Sequence, residues 1–397
     1  MKRLAGIVLI VTWFSHSSFS QTEEETLASA HALVEQKKYE SAFQMLETFD
    51  AEAKSINVLL LKEEIALKYF VTSIMHTMFS FKDLEPDEDI MDYRGLEGTS
   101  NLHVFDIAEE LNKFLESNPN HCLLNKGLAD YYFDVHMRYG ASAMEEEYAM
   151  LETIKSAYTV AVKGGCADYM SHYSLAYLFL IDDQLEEAKP GLLESIRLNP
   201  EYASAHYNLA YCYYLLEDFA SALTYCKKAL DLYTEAVYKS DAARLTGDIL
   251  WAMEDNDGAM RHFRMADEIE PGNHFNRMRI LHLSVETQSE EVESALQWFW
   301  ELAPEEPSTY FDLIEIYSQY QLEAELETFL LTKVLANEDN DEISGALQFF
   351  LGRLSSEKNK SEAEKHFNQA KVHFNKFLSS DDPVFSVIQE EIDALKK

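Results

Sequence analysis

Glu254, Asp255, Asn256, Asp257 and Gly258 are the residues of this chain whose types come nearest to a cation site, because carboxylate and amide oxygens around a glycine are what a calcium-binding loop uses. Aligning Gly258 with the loop glycine puts Met253 at the first ligand and Arg264 at the last, so the segment reads as a turn between helices. The acidic run from Asp83 to Asp92 lacks the same spacing. The four cysteines, Cys122, Cys166, Cys212 and Cys226, form no CxxC couple, which argues against a thiolate zinc site and leaves buried, reduced thiols as the expectation. The 13 histidines are dispersed, and no HExxH, GxSxG or phosphate-cradling glycine loop occurs. Carboxylate pairs say little in a chain with 70 acids. No catalytic residue, metal or cofactor is assigned, and the chain is expected not to be an enzyme.

The elements that would position any site are read from composition first. With 13 Gly and 8 Pro in 397 residues, the chain lacks the turn-makers of a barrel or sandwich, and an all-α fold is expected. Apolar residues make up 47%, enough for a large core. The 33 basic against 70 acidic side chains give a formal charge of -37, which repels phosphate backbones and anionic lipid, so neither nucleic acid nor a membrane surface is an expected partner.

The N-terminus reads as a targeting segment. Lys2 and Arg3 precede an apolar run from Leu4 to Phe14, and Ser18 and Ser20 supply the small residues before a cut, so 1–20 is expected to be a signal peptide and Gln21 the mature start. No cysteine follows the apolar run to take a lipid anchor. The mature chain is expected in the periplasm or outside the cell, without membrane insertion.

Self-similarity organises the rest. Between Ala203 and Ala236 the chain reads ASAHYNLAYCYYLLEDFASALTYCKKALDLYTEA, with His206, Leu209, Ala210 and Tyr213 on a first helix and Phe219, Ala222, Cys226 and Ala229 on a second. Ala210 and Ala222 are small because antiparallel helices approach to about 8–10 Å only where side chains leave room. The segment from Tyr169 repeats the pattern with Leu175, Ala176, Phe179, Leu185, Ala188, Leu192 and Pro200, and Ala176 stands 34 residues before Ala210. Gly247, Leu250, Ala259, Phe263, Ala266 and Pro271 follow in the same roles. This pattern resembles the tetratricopeptide repeat family, closely over 169–271. The resemblance implies a right-handed α-solenoid of antiparallel helix pairs.

Weaker copies lie on both sides. Ala30, Leu33, Tyr39, Ala42 and Leu46 fit one unit, opened by a capping box from Thr22 to Glu25, and Gly352, Ala363, Phe367 and Ala370 fit another. Asp382 and Pro383 start a last helix that caps the stack. The organisation read from sequence is therefore 21–168 with divergent repeats, 169–271 with three clear ones, and 272–397 with divergent repeats and the cap. Ile56 to Ser80 is expected as one long buried helix, Pro190 as a kink, and 81–101 as an acidic insert of a length that often carries function.

The resemblance also implies where a partner docks, since first helices line the concave face in that family. Projecting the helical register puts Tyr173, Tyr177, Tyr207, Asn208, Tyr211, Tyr214, Arg244, Asp248 and Trp251 on or beside it. Of these only Asn208 matches the family's clamp for a terminal carboxylate. The expectation is a protein-interaction scaffold of the cell envelope that takes a peptide or protein with basic flanks in an aromatic groove; the alternative is a carbohydrate-binding helical protein, because aromatic faces also stack on sugar rings.

Overall fold

The computed structural model describes residues 22–95, 101–140 and 147–396. The expected signal segment and the expected start at Gln21 lie outside the described residues, as do positions 96–100 of the acidic insert. Among the described residues the chain forms 19 α-helices and one three-stranded sheet, in two compact units that divide after Pro200. The helices follow one another in antiparallel pairs.

The first unit holds α1 (Glu23–Glu35), α2 (Tyr39–Phe49), α3 (Ile56–Lys68), α4 (Ile107–Ser117), α5 (Cys122–Tyr139), α6 (Glu147–Lys163), α7 (Tyr169–Ile181) and α8 (Leu185–Leu198). Helix α1 starts with the expected capping box, Thr22 and Glu25 each accepting from the other's backbone N–H. Helix α8 runs through Pro190 without a break, and the next residue, Gly191, lies so close to Ala176 of α7 that a Cβ there would stand 2.9 Å from the alanine methyl.

The second unit holds α9 (Ala203–Leu215), α10 (Phe219–Leu232), α11 (Ala236–Ala252), α12 (Asn256–Ile269), α13 (His274–Glu286), α14 (Val292–Trp300), α15 (Pro307–Gln319), α16 (Glu323–Ala336), α17 (Asp341–Ser355), α18 (Lys360–Phe374) and α19 (Pro383–Ala394). Ala210 and Ala222 are fully buried in one cluster with Cys226, Leu245 and Ile249. Helix α19 is capped by Asp382 with Pro383 in its first turn, as the sequence suggests.

One turn recurs through both units. Lys37, Asp183, Glu217, Glu254, Gln288 and Gln321 all have φ between 50° and 63°, each two residues past the end of a first helix. In each, the next N–H reaches back to a carbonyl of the last helical turn, as from Asp218 to Tyr213 and from Leu322 to Tyr317, both at 2.9 Å. This satisfies orphan carbonyls at a helix C-terminus, usually with glycine at the left-handed position. Here no glycine is used. The turn marks α13/α14 and α15/α16 as the same kind of hairpin as α9/α10, although their side-chain pattern is thin.

The sheet corrects one expectation. Helix α3 ends at Lys68, and the rest of the supposed long helix becomes a hairpin, β1 (Thr72–Ile74) paired antiparallel with β2 (Met78–Ser80), joined in turn by β3 (His103–Val104). The fold is the expected helical one, with this one small sheet added in the first unit. Aromatic and β-branched residues from Tyr69 to Thr72 favour the extended chain once α3 has ended. Met75 and His76 take φ of 48° and 55°, the double left-handed turn whose twist suits a hairpin. His76 can adopt it because its buried ring is held among Phe70, Phe79, Tyr131 and Tyr139.

The acidic insert is anchored and not simply solvated. Phe81 and Leu84 are fully buried, Ser41 Oγ donates to Asp83 at 2.6 Å, and the Lys37 ammonium donates to the carbonyls of Pro86 and Glu88 at 3.0 and 2.6 Å. The α1–α2 turn thus grips the start of the insert. Among the described residues no helix is long and apolar enough to cross a membrane.

Candidate functional site

Three first helices of the second unit present the same spacing of side chains: Tyr207, Tyr211 and Tyr214 on α9, Arg244, Asp248 and Trp251 on α11, and Phe275, Arg279, His282 and Glu286 on α13. Steps of four and three residues keep each set on one helical face. Contacts between helices join them into rungs. The Arg244 guanidinium sits over the Phe275 ring at 5.7 Å. Arg279 Nε lies 2.7 Å from Asp248 Oδ1. Trp251 Nε1 donates to Glu286 at 2.7 Å, its ring meets His282 edge-on at 4.8 Å, and His282 Nε2 lies 3.2 Å from the Tyr320 hydroxyl just past α15.

Burial tunes the charged members. Asp248 is only 8% exposed, and burial pushes its carboxyl up while Arg279 and Arg244 pull it back. Burial, then the Arg279 charge, lowers His282. Tyr207 and Tyr214 are raised chiefly by burial, with Asp241 and Asp248 adding to it respectively. Such groups present hydrogen-bond donors and fixed charge, and no nucleophile with an adjacent base.

Seven of the nine residues expected in the groove are therefore in the second unit. Tyr211 keeps 41% of its surface exposed, Tyr207 packs edge-on against Tyr233 at 6.3 Å, and Asn208 is half-buried beside it. Asp248 is itself covered and pairs with Arg279. Tyr173 and Tyr177 belong to the first unit, stacked on each other at 6.2 Å, with Tyr177 edge-on to Phe133 at 6.1 Å. Arg279, His282 and Glu286 were missed by sequence reasoning; their spacing on α13 repeats that of α11 and was the available signal.

The first unit carries a second concavity, a cleft of about 870 Å³ lined by residues of α1, α3, α5, α6 and α7. Its floor is polar. Lys126 lies between Asp130 at 2.5 Å and Asp168 at 3.2 Å, and the Tyr158 hydroxyl donates to Asp130 at 2.9 Å. Glu63 of α3 and Gly127 of α5 face each other in its wall. Nothing in the sequence marked these acids out among the many others.

Residues 203–233, the whole of α9 and α10, match the family model for the tetratricopeptide repeat. The chain carries a tetratricopeptide repeat at these residues. No curated protein gives a significant match. Among solved structures, the chain is similar to a tetratricopeptide repeat protein from Parabacteroides merdae, at 15% identity over 72% of this chain and 99% of that one, with a TM-score of 0.41. It is also similar to PilF of Pseudomonas aeruginosa, at 13% identity over 55% and 96%, with a TM-score of 0.40. YrrB, described as a TPR protein with an unusual peptide-binding site, is matched at 16% identity over 60% and 99%, with a TM-score of 0.34.

Proposed function

We propose that this protein is an exported scaffold of the cell envelope that docks a protein or peptide on the aromatic face of its second unit. The observation that carries the reading is the exposure of large rings on otherwise well-cored helices: Tyr211 of α9 and Phe275 of α13 keep 41% and 57% of their surface open, beside the Arg244 and Arg279 guanidiniums. Aromatic and arginine side chains on rigid helices give large contact area at small entropic cost and dominate interface hot spots. The formal charge of -37 favours a partner with basic flanks. Export is supported by Lys2, Arg3 and the apolar run that follows them.

Two measurements test the reading. Affinity capture from the envelope of the native cell with mature protein, repeated with Tyr211→Ala and Trp251→Ala, should recover a polypeptide that the variants lose; a glycan array bound in a tyrosine-dependent way would replace the protein partner with a sugar. Intact mass of the native protein should place its N-terminus at Gln21, and retention of Met1 to Ser20 on a soluble chain would remove export from the proposal.

A further inference from the structure

The cleft of the first unit holds one carboxyl left over from its ion pairing. Its walls carry five acids, Glu63, Glu64, Asp130, Asp134 and Asp168, and two lysines. Lys68 pairs with Glu64 at 2.8 Å, and Lys126 is taken by Asp130 and Asp168. Asp134 receives Arg138 at 2.6 Å and His76 at 2.9 Å. Glu63 alone has no hydrogen bond from any described residue, although it is only 6% exposed. It lies over Gly127, where a Cβ would come within 3.0 Å of Oε2, so the absence of a side chain at Gly127 is what makes room for the carboxyl.

We propose that this cleft is a socket for a lysine or arginine side chain of a partner polypeptide, whose cationic head sits on Glu63 and whose aliphatic stem lies along Leu60, Leu67 and Phe133. The inference rests on the first unit and is independent of the aromatic face of the second. A buried acid without a partner is costly unless it is neutral or meets a cation. Both lysines of the cleft are already committed, so a cation that pairs with Glu63 has to come from outside. Long basic side chains bury an apolar stem beneath a charged head, and the lining has that composition: leucines and a phenylalanine leading to a carboxyl. At about 870 Å³ the cleft exceeds one side chain, which leaves room for the flanking peptide. Among the described residues no group of three ligating side chains could hold a metal ion.

The socket has a built-in readout. In the free protein burial, and after it the Asp130 charge, raise Glu63 to about 8, while Lys126 and Lys68 oppose the rise and Glu64 adds to it. Glu63 is then largely protonated at neutral pH. A cation placed on it favours the carboxylate, so the proton leaves to buffer as the ion pair forms.

The test is calorimetric titration of the full chain with short, acetylated and amidated peptides carrying one central arginine or lysine, compared with citrulline or norleucine at the same place. The basic peptides should bind and release a proton near neutral pH, seen as a dependence of the heat on buffer ionisation enthalpy. Their affinity should rise by up to about tenfold per pH unit and level off above pH ~8. Glu63→Gln, which keeps the shape and neutral state, should abolish the proton release and weaken binding at least about tenfold at high pH. An exposed control, Glu24→Gln, should change neither. Equal binding by citrulline peptides, unchanged binding by Glu63→Gln, or no binding of any basic peptide would overturn the proposal; agmatine binding as tightly as the peptides would overturn the polypeptide and leave a small-cation site.

Discussion

Gly247 and Phe263 compete for one volume: the Phe263 ring of α12 stands where a Cβ on Gly247 of α11 would go. Gly352 and Phe367 repeat the relationship in α17 and α18, with a Cβ 2.7 Å from the ring. A methyl at either site would force the aromatic ring out of a core position that is fully buried. We expect Gly247→Ala and Gly352→Ala each to cost about 1–3 kcal/mol of overpacking, offset in part by the roughly 1 kcal/mol that alanine gains over glycine in a helix interior. Urea unfolding of the two variants measures the net loss; a gain in stability at both would show that the rings can move aside.

The same pairs explain what could be read from sequence. Ala176, Ala210, Gly247 and Gly352 are small residues facing a neighbour helix, and their spacing with Phe263 and Phe367 survives as a pattern because close approach allows few substitutes. The recurring turn at Glu217 and Gln321 left no such trace, since its left-handed residue is not glycine. The sheet was hidden because Thr72–Ile74, Met78–Ser80 and His103–Val104 are too short to show alternation, and an apolar run from Ile56 also satisfies a helical period. The socket was hidden for a different reason: Glu63 and Asp130 meet only through packing of α3 on α5.

Groove and core should separate under substitution. Tyr211 is exposed and Ala210 beside it is fully buried. Tyr211→Ala is expected to change stability by less than about 0.5 kcal/mol while weakening partner binding by roughly 1–3 kcal/mol, whereas Ala210→Leu should cost about 1–3 kcal/mol of stability. Thermal melts alongside affinity measurements decide it. Equal destabilisation by both would make the tyrosine part of the core.

Glu63 also predicts how stability follows pH. Its folded value, about 8, lies above the ordinary 4.5, so its contribution is complete below pH 4.5, where both states hold the proton. Between the two values the unfolded chain releases the proton first, and the folded state loses up to about 1.4 kcal/mol for each pH unit. Relative to the wild type, Glu63→Gln should gain stability across that window and stay level outside it. A constant difference between the two proteins from pH ~4 to ~9 would contradict the assignment.

Cys122 and Cys166 differ from the other two cysteines in having each other as neighbours. Burial and a hydrogen bond with the Cys122 thiol push Cys166 up to about 12, and a Cβ on the intervening Gly164 would stand 2.5 Å from the Cys122 Cβ. Cys226 instead accepts from Thr246 Oγ1 at 3.3 Å and faces Ala242 of α11. Diamide, which takes up two electrons and two protons, should therefore link Cys122 to Cys166 and leave Cys212 and Cys226 as thiols. Peptide mapping without reduction reads this directly; a bridge between Cys212 and Cys226 would mean that α9 and α10 are paired in another register.

The strand β3 gives the two units unequal routes to their native state. Every helix hairpin of the second unit closes through a few residues, so its contacts are local and form at little cost in chain entropy. In the first unit His103 and Val104 must return across the whole acidic insert to pair with Met78 and Phe79, a closure that costs about 3 kcal/mol before any contact repays it. The grip of Lys37 on the insert shortens that search, because it fixes Pro86 and Glu88 against the α1–α2 turn. The amino-terminal unit is emitted first by the ribosome but carries the slower step, so during synthesis the helices behind it can close before its own sheet is complete.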